Sequence, residues 1–399
     1  MVESVVRSAF ILVTCQRRAE GAVKAELARR WPMLRLAFNK PGFLTFKCAS
    51  GLLTSEMELN AVFGRAWALS LGPIEGQSPR ERIEQLWKMI PGVPIARVHV
   101  WPVDPLPVGD YDFEPTLTPE ALELHRLVIS ACPQPGSLAP DAGDPWACGR
   151  KGEWVLDCVL LEPDRWWLGI HRVRDFVSQW PGGLIPLKLP AGAVSRAWLK
   201  MEEALRWSQL PIRPGARWVE LGCAPGGSSQ ALLERQQQVL GVDPAEVDPR
   251  ILAQPGFTHL RRRISGVPRR LLRKVRWLAA DMNVAPNYTL QVVESIVQHR
   301  LVSIRGMLLT LKLLDWSQAE RVDEYLERVR SWGYNQVKAR QLQFNRQEFC
   351  VAALQRPFRR KPIPDLARAR RFKKLIHSPK GKPTEPPGLA PDSEECSSP

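Results

Sequence analysis

The sequence predicts an α/β protein whose C-terminal half forms a mostly parallel, doubly wound sheet preceded by two smaller α+β units. From residue 217 onward, short apolar strands alternate with helical stretches, which is the pattern of a parallel sheet covered by helices. A glycine-rich turn follows the first of these strands, where such sheets bind small molecules. Before residue 181 the strands come in closely spaced pairs instead, which favours α+β units.

The chain has 399 residues, which is too many for one core, and its 44% hydrophobic and 24% charged residues are typical of a globular protein. We divide it into residues 1–75, 76–180, 181–356 and a tail, 357–399. No apolar run approaches the roughly 18 residues of a membrane helix, and the amino terminus lacks a signal-peptide pattern. The eight cysteines form no CxxC pair and have no His partner at zinc spacing. We therefore expect a cytoplasmic protein, monomeric and without a metal.

The first part shows the order strand, helix, strand, strand, helix, strand over residues 8–71, which predicts a ferredoxin-like unit. The elements assigned from apolar runs, helical spacing and turn residues are strands at 10–15, 34–38, 43–47 and 65–71 and a helix at 18–29.

The second part contains further strands and helices but no catalytic side chains that its pattern identifies. We expect it to bind or position another molecule, and a plain accessory domain is the alternative. Its elements are helices at 79–89 and 118–130 and strands at 95–103, 154–161 and 166–172.

The third part alternates strongly between the two element types, and its last two strands form an antiparallel hairpin on the sheet. The strands are assigned to 218–222, 239–243, 257–260, 275–281, 307–313, 334–343 and 348–354. The helices are assigned to 228–236, 266–274, 289–300 and 317–332.

The net charge of +15 is unevenly distributed along the chain. Residues 356–382 contain 11 Lys and Arg against one acid, whereas residues 383–399 are acidic. The Pro-rich, charged tail is predicted to be disordered. A basic body with a basic tail favours a polyanion such as RNA as the partner, with a solubilising surface as the alternative.

The segment VELGCAPGGSSQ (219–230) joins the first strand of the third part to its first helix. Its glycines permit a tight turn and close approach of a ligand to the backbone. The spacing is neither that of a dinucleotide fold nor that of a phosphate loop. Acidic Glu220, and Asp243 at the end of the second strand, favour S-adenosylmethionine over NAD, because carboxylates accept hydrogen bonds from an amine or a ribose. Cys223 is more typical of a small packing residue than of a nucleophile.

Five segments carry a resemblance to a known family: SRAWLKMEEAL (195–205), LGCAPGG, LAADMNVAP (278–286), LLTLKLLD (308–315) and NRQEFCVAAL (345–354). They resemble the RrmJ/FtsJ family of RNA ribose 2′-O-methyltransferases. That family uses a Lys-Asp-Lys-Glu tetrad on a Rossmann-like fold, and the resemblance implies four candidate catalytic residues: Lys200, Asp281, Lys312 and Glu348. It also implies S-adenosylmethionine as the methyl donor.

The segment 182–205 is similar, more narrowly, to the RlmM type of large-subunit ribosomal RNA methyltransferase. This resemblance implies a ferredoxin-like segment and a THUMP-type RNA-binding domain before the catalytic fold, and 23S ribosomal RNA or its precursor as the partner. The candidate cofactor-binding residues are Glu220, Gly222, Cys223, Pro225, Gly226, Gly227, Asp243 and Asp281. Two departures stand out: residues 259–267 lack the acid that contacts the adenine in this family, and Ser228 replaces a frequent aromatic.

The proposed chemistry requires such a set of charges. A ribose hydroxyl is a poor nucleophile near neutral pH, so a base or an oriented acceptor must assist the transfer. Lys312 is the candidate. Because the ordinary pKa of lysine is about 10.4, burial or a neighbouring cation such as Lys200 must favour the neutral amine. Asp281 and Glu348 would orient the lysines, and an activated sulfonium needs no metal. Taken singly, each residue also has a plain structural interpretation, such as an edge lysine or a helix cap.

A basic stretch between residues 261 and 276 contains eight Arg and Lys and no acid. We place it near the cofactor mouth and expect phosphate contacts, with a solvated basic helix as the alternative. The candidate RNA-binding residues are Arg261, Arg262, Arg263, Arg269 and Arg270. Trp166, Trp167 and Trp180 are candidates for stacking on bases, although core packing is the expectation for at least two of them.

Two other functions stay open at this stage. A base-directed methyltransferase would need a different motif after the fourth strand, where this chain has Asp-Met-Asn-Val-Ala-Pro. A non-catalytic RNA-binding relic of the fold is the second alternative, and the complete tetrad argues against it.

Overall fold

The structure, a computed structural model, describes residues 6–355. These residues build two seven-stranded sheets and a small two-stranded ribbon. The charged tail at 357–399, with its predicted disorder, lies outside the described residues.

The N-terminal half contains nine strands and three helices. The strands are β1 (Arg7–Ser8), β2 (Phe10–Thr14), β3 (Leu34–Lys40), β4 (Phe43–Cys48), β5 (Leu53–Thr54), β6 (Ala66–Glu75), β7 (Arg97–Pro102), β8 (Trp154–Glu162) and β9 (Arg165–Arg172). The helices are α1 (Glu20–Arg30), α2 (Pro79–Lys88) and α3 (Pro119–Ser130).

One continuous sheet, in the order β3-β4-β2-β6-β9-β8-β7, joins the strands of the first two predicted parts. We call it the N-terminal sheet; the boundary between 1–75 and 76–180 stays a prediction. The second helix expected before residue 71 is absent from residues 49–65. The Glu26 carboxylate on α1 accepts hydrogen bonds from the backbone N–H groups of Val62 (2.8 Å) and Phe63 (3.2 Å). These bonds hold the segment as a loop against α1.

Up to residue 355, the described part of the C-terminal half contains seven strands and five helices. The strands are β10 (Arg217–Leu221), β11 (Gln238–Val242), β12 (Phe257–Leu260), β13 (Trp277–Ala280), β14 (Gly306–Lys312), β15 (Gln336–Arg340) and β16 (Glu348–Leu354). The helices are α4 (Ala197–Ser208), α5 (Gly227–Glu234), α6 (Pro249–Leu252), α7 (Pro286–Val297) and α8 (Val322–Ser331).

The C-terminal sheet has the order β12-β11-β10-β13-β14-β16-β15, with β10 to β14 parallel and the last two strands antiparallel. The predicted parallel sheet with an antiparallel hairpin is confirmed. The prediction of a helix at 266–274 is wrong, because the chain there forms two short 3-10 turns, Ile264–Gly266 and Arg269–Leu272. Val267 and Pro268 separate the two turns, and a proline disfavours helix in the residue before it.

The central strands are apolar because both faces of the sheet are covered. Every residue of β13 is buried. On one face, Trp198 of α4 packs in a cluster with Trp218 and Trp277, whose rings stack at 5.6 Å. On the other face, Val293 of α7 and Val329 of α8 are fully buried. Continuous apolar runs are what strands buried on both faces require.

The connections reverse direction at β10, which lies between β11 on one side and β13 on the other. Such a switch point leaves a crevice at the carboxyl ends of the two strands. Gly222 follows β10 and Asp281 follows β13, so both residues border this crevice.

The two halves meet along the connection between β15 and β16, residues 341–347, which we call the hairpin link. The Gln16 side chain donates to the Leu342 carbonyl (2.8 Å), and the Gln341 N–H donates to the Val62 carbonyl (2.7 Å). The Phe63 ring meets the Phe349 ring of β16 edge-on at 6.0 Å. The N-terminal half therefore holds the hairpin link directly.

Among residues 6–355, no helix combines the length and the apolar character needed to cross a bilayer.

A buried ion pair near this junction allows a test of the fold. Arg65 donates twice to Asp104, at 2.7 and 2.8 Å, and both side chains are 3% exposed. We expect Asp104→Ala to lower the free energy of unfolding by about 3–5 kcal/mol, because it leaves a buried guanidinium without a counter-ion. Glu123→Ala, which removes the exposed partner of Arg126, is the control and should lose no more than about 1 kcal/mol. Denaturant unfolding measures the free energy of unfolding of both variants. Equal losses would contradict the buried pairing of Arg65 with Asp104.

Candidate active site

The structure gathers the four candidate catalytic side chains at the carboxyl edge of the C-terminal sheet. Lys200 lies on α4, and Asp281 directly follows β13. Lys312 is the last residue of β14 and Glu348 is the first of β16, and the two are paired in the antiparallel register. Four segments that are distant in the sequence thus converge on one cleft.

Lys200 makes the closest contacts within this group. Its Nζ lies 2.5 Å from Glu348 Oε1 and 3.6 Å from Asp281 Oδ2. Lys312 Nζ lies 3.5 Å from the other oxygen of Asp281, Oδ1. Asp281 therefore lies between the amino groups of the two lysines, and Glu348 faces Lys200.

The two lysines differ in their surroundings. Burial opposes the charge of Lys200, but the carboxylates of Asp281 and Glu348 outweigh it and raise the pKa of Lys200. Its side chain is 15% exposed, whereas that of Lys312 is 25% exposed. Lys200 is thus the fixed cation of the group, and Lys312 is the more accessible amine.

Glu203, which the sequence analysis did not single out, supports this arrangement from α4. Its carboxylate accepts hydrogen bonds from the backbone N–H groups of Gln343 (2.7 Å) and Phe344 (3.2 Å) in the hairpin link. Burial raises its pKa to about 7. Its place three residues after Lys200, on the same helix face, was the available signal.

The glycine-rich loop packs tightly against the exit of β13. Gly222 has φ +78°, and a Cβ there would lie 2.6 Å from the Asp281 carbonyl oxygen. Gly226 has φ +121°, and a Cβ there would approach Ile251 at 2.8 Å. Gly227 begins α5, and the Pro225 carbonyl accepts from the Asp248 N–H at 2.9 Å. The loop therefore presents its backbone to the crevice.

Two of the predicted cofactor ligands lie beneath this loop and not on its surface. Glu220 is 1% exposed and accepts a hydrogen bond from the Ser229 hydroxyl at 2.5 Å. Cys223 is 2% exposed and packs against Val247 and Ile251. Both side chains are buried beneath the loop, but Glu220 Oε1 accepts no hydrogen bond from the described residues, and the contact of Glu220 and Cys223 with a ligand stays a prediction.

Asp243 and Asp281 are better placed to meet a ligand. Asp243 is partly exposed, and its two oxygens accept from the backbone N–H groups of Ala224 (3.1 Å) and Ala245 (2.8 Å). Asp281 Oδ1 is buried and accepts no hydrogen bond from the described residues, although Lys312 Nζ lies 3.5 Å from it as an ion pair. A buried acceptor without a donor is unfavourable, and a ligand with donor groups would satisfy it. These residues fit an amine- and hydroxyl-bearing ligand.

The basic stretch after β12 is split between the two edges of the sheet. Arg261, Arg262 and Arg263 directly follow the carboxyl end of β12 and are exposed, as expected for the cofactor side. Arg270 instead lines a groove with Arg217 and Gln238, which begin β10 and β11. Its predicted position near the cofactor mouth was therefore wrong, because the chain crosses to the opposite edge before β13 begins.

Arg269 is similarly occupied away from the cleft. Its guanidinium donates to the carbonyls of Ile264 (3.2 Å) and Val267 (3.3 Å) and to the Ser295 hydroxyl (3.2 Å). These bonds link the two 3-10 turns to α7, so the side chain stabilises the local fold.

The tryptophans considered for base stacking are largely packed. Trp166 is 1% exposed beneath the Arg82 guanidinium, and the Trp167 ring stacks on Phe38 at 5.2 Å. Trp180 is partly buried and meets Phe176 edge-on at 6.4 Å. Core packing therefore accounts for Trp166 and Trp167.

One group of metal-ligand side chains, His99, Asp157 and His171, comes together within the described residues, in the N-terminal sheet. His171 is hydrogen bonded through both ring nitrogens, to Asp157 (2.5 Å) and to the Ser178 carbonyl (2.9 Å). Burial lowers the pKa of His99 well below its usual value. The group lies outside the cleft, and the expectation of chemistry without a metal stays a prediction.

Comparison with known proteins supports the resemblance drawn from the motifs. Residues 193–339 match the FtsJ-like methyltransferase family. Ribosomal RNA large subunit methyltransferase M of Methylococcus capsulatus is 39% identical over 127 residues, which cover 31% of this chain and 36% of that protein. The protein of the same name from Xanthomonas campestris pv. campestris is 26% identical over 364 residues, 86% of this chain and 99% of that protein. The protein of the same name from Halorhodospira halophila is 32% identical over 187 residues, which cover 46% of this chain and 53% of that protein.

The matched regions thus span about a third to a half of two of these relatives and nearly all of the third. The resemblance to FtsJ-like methyltransferases that the motifs predicted is confirmed.

Glu220 gives the site a testable dependence on pH. Burial raises its pKa from 4.5 to about 8, so the folded protein keeps a proton that the unfolded chain releases. This contribution to stability is full below pH 4.5 and is lost as the pH rises through about 8. Because glutamine has no proton to lose, we expect Glu220→Gln to gain stability relative to the unmodified protein between about pH 5 and about pH 9. Glu246→Gln, at a side chain 77% exposed, is the control. Thermal unfolding at a series of pH values measures the stability of each variant relative to the unmodified protein. If the stability of Glu220→Gln follows that of the unmodified protein at every pH, the raised pKa of Glu220 is wrong.

Proposed function

We propose that this protein, whose residues 193–339 belong to the FtsJ-like methyltransferases, transfers a methyl group from S-adenosylmethionine to a ribose 2′-hydroxyl of large-subunit ribosomal RNA. The convergence of Lys200, Asp281, Lys312 and Glu348 at one end of the crevice carries the proposal. The names of the relatives support ribosomal RNA as the substrate.

The cleft provides what transfer to a hydroxyl requires. Bound S-adenosylmethionine would supply an electrophilic methyl group on a sulfonium. Lys312, the more accessible amine, accepts the proton of the 2′-hydroxyl while the oxygen–carbon bond forms and the carbon–sulfur bond breaks. Asp281, 3.5 Å away, stabilises the ammonium that results. Lys200 orients Asp281 and Glu348 and compensates their charge.

The methyl donor would lie against the glycine-rich loop. Backbone groups of Gly222 to Gly227 would approach it closely, Asp243 would accept from its ribose, and Asp281 Oδ1 would accept from a donor group. Glu220, through Ser229, keeps the start of α5 in place beneath the loop. The residue that contacts the adenine is not assigned, since no acid follows β12.

The N-terminal half is proposed to hold the RNA. A ferredoxin-like segment followed by a THUMP-type domain is the organisation that the RlmM type implies, and the contacts of Gln16 and Val62 with the hairpin link place this half beside the cleft. Arg261, Arg262 and Arg263 are the proposed phosphate contacts on the other side. An enzyme acting on ribosomal RNA is expected in the cytoplasm.

The identity of the product tests the proposal directly. We expect the full chain with S-adenosylmethionine to form a 2′-O-methylated nucleoside in large-subunit ribosomal RNA that lacks the modification. Nuclease digestion followed by mass spectrometry separates ribose-methylated from base-methylated nucleosides. A methyl group on a base would overturn the mechanism. Binding of RNA without any methyl transfer would support the alternative of a non-catalytic RNA-binding protein.

Replacement of Lys312 tests its role. We expect Lys312→Ala to lower kcat by about 10²- to 10⁴-fold, the usual contribution of a positioned base, while S-adenosylmethionine still binds. Lys274→Ala is the matched control, because Lys274 is exposed in the groove at the opposite edge of the sheet. Single-turnover transfer and equilibrium binding measure the two effects. Equal rates for both variants would exclude Lys312 as the base.

A further inference from the structure

We propose that residues 109–114 form a binding site for an unpaired nucleobase of the substrate RNA, with the Tyr111 ring as its stacking surface. We call this segment the tyrosine loop. The inference rests on the proposed function, and it adds a substrate-binding site contributed by the N-terminal half, beside the cleft.

Tyr111 is unusual in both exposure and backbone conformation. Its side chain is 93% exposed, the highest value among the exposed large apolar residues of the described chain. Its φ is +49° and that of Asp112 is +58°, so two consecutive non-glycine residues are left-handed. A bulky residue rarely adopts this conformation, and such strain clusters at ligand-binding sites. The strained backbone holds the ring out into solvent, where it has no packing role.

The tyrosine loop is anchored at both ends to elements of the cleft. At one end, the Arg346 guanidinium donates to the Gly109 carbonyl at 3.0 Å, and the Arg346 N–H lies 3.4 Å from Glu348 Oε1. At the other end, Glu114 pairs with Arg196, which lies one helical turn before Lys200. The loop therefore lies at the carboxyl edge of the C-terminal sheet, where the tetrad lies.

Internal bonds keep the loop in shape. The Gly109 N–H donates to the Phe113 carbonyl at 2.8 Å, and the Phe113 N–H donates to the Asp110 carbonyl at 3.0 Å. A Cβ on Gly109, whose φ is +79°, would overlap the Arg346 side chain. Because two residues span at most about 7 Å, Tyr111 lies close to the Arg346 contact. The ring is thus carried by an anchored loop at the same edge of the sheet as the proposed reaction site.

The charges around the loop suit RNA despite its three acids. Asp110 pairs with Arg18 at 3.2 Å, and Glu114 pairs with Arg196, so two of the acids are compensated. The Arg18 side chain is 67% exposed. The loop therefore keeps little net negative charge to repel phosphates, and an aromatic face accepts any base. An unpaired base near the target sugar, bound on this ring, would help to position that sugar in the cleft without a requirement for one sequence.

Binding measurements with the full chain test the site independently of catalysis. The probes are a fluorescein-labelled single-stranded oligoadenylate and a double-stranded RNA of equal length, followed by anisotropy. We expect Tyr111→Ala to weaken single-strand binding by about 5- to 100-fold, the usual effect of losing one base–aromatic stack, with little change for the duplex. Tyr111→Phe and Tyr111→Trp should bind the single strand as tightly as the unmodified protein does, because the ring and not the hydroxyl makes the contact. Leu52→Ala, at another exposed apolar side chain (61%), is the control.

The outcomes separate this site from the proposed function. If Tyr111→Ala binds the single strand as well as Leu52→Ala does, the nucleobase site is wrong, whatever the result of methyl transfer. If Tyr111→Phe binds as weakly as Tyr111→Ala, the hydroxyl makes the contact and stacking is wrong. If Tyr111→Ala weakens binding while the unmodified protein transfers no methyl group, the site stands and the proposed function fails.

Discussion

The pairing of β14 with β16 is the constraint on which the cleft depends. Their antiparallel register sets Lys312 directly opposite Glu348. A shift of one residue would turn either side chain to the other face of the sheet. Once the pair is in place, Lys200 reaches Glu348 from α4, and Asp281, directly after β13, meets the amino groups of both lysines. Alternating charges, and not any one strong contact, allow four ionisable groups to lie this close together, since a partly buried charge without a partner is unfavourable.

The hairpin link transmits this constraint to the rest of the molecule. Glu203 holds the link from α4, and Gln16 and Val62 hold it from the N-terminal half. Glu348 follows the link directly, so the position of this candidate catalytic carboxylate is determined by segments from both halves. The N-terminal sheet thus supports the cleft by contacts near the reacting groups, in addition to any affinity it has for RNA.

Much of the C-terminal half was predictable from the sequence, because strands buried on both faces are continuous apolar runs and one turn needs glycine at Gly222 and Gly226. The four charged residues were identified through a family resemblance, and their order along the chain left open whether they meet. What escaped prediction depended on tertiary contacts. The buried Glu26 holds residues 62 and 63 in a loop where a helix was expected, and the crossing of the chain to the far edge of the sheet moves Arg270 from the cleft.

The tyrosine loop was missed for a related reason. In the sequence, Gly-Asp-Tyr-Asp looks like an ordinary surface turn, and only the contact of Gly109 with Arg346 shows which surface it occupies. Glu203 was missed because a second acid on a helix normally faces solvent.

The shared hairpin link has a consequence for how this protein can be recombined with its relatives. A chimaera that joined this N-terminal half to the methyltransferase half of another enzyme would have to restore the apolar core that the halves share, in which Phe63 packs against Phe349. It would still lose the docking of Gln16 on the Leu342 carbonyl unless the recipient's hairpin matched in length and path. The crossover points that preserve activity should therefore be those that transfer residues 16–18, 62–65 and 109–114 together with the hairpin that they touch.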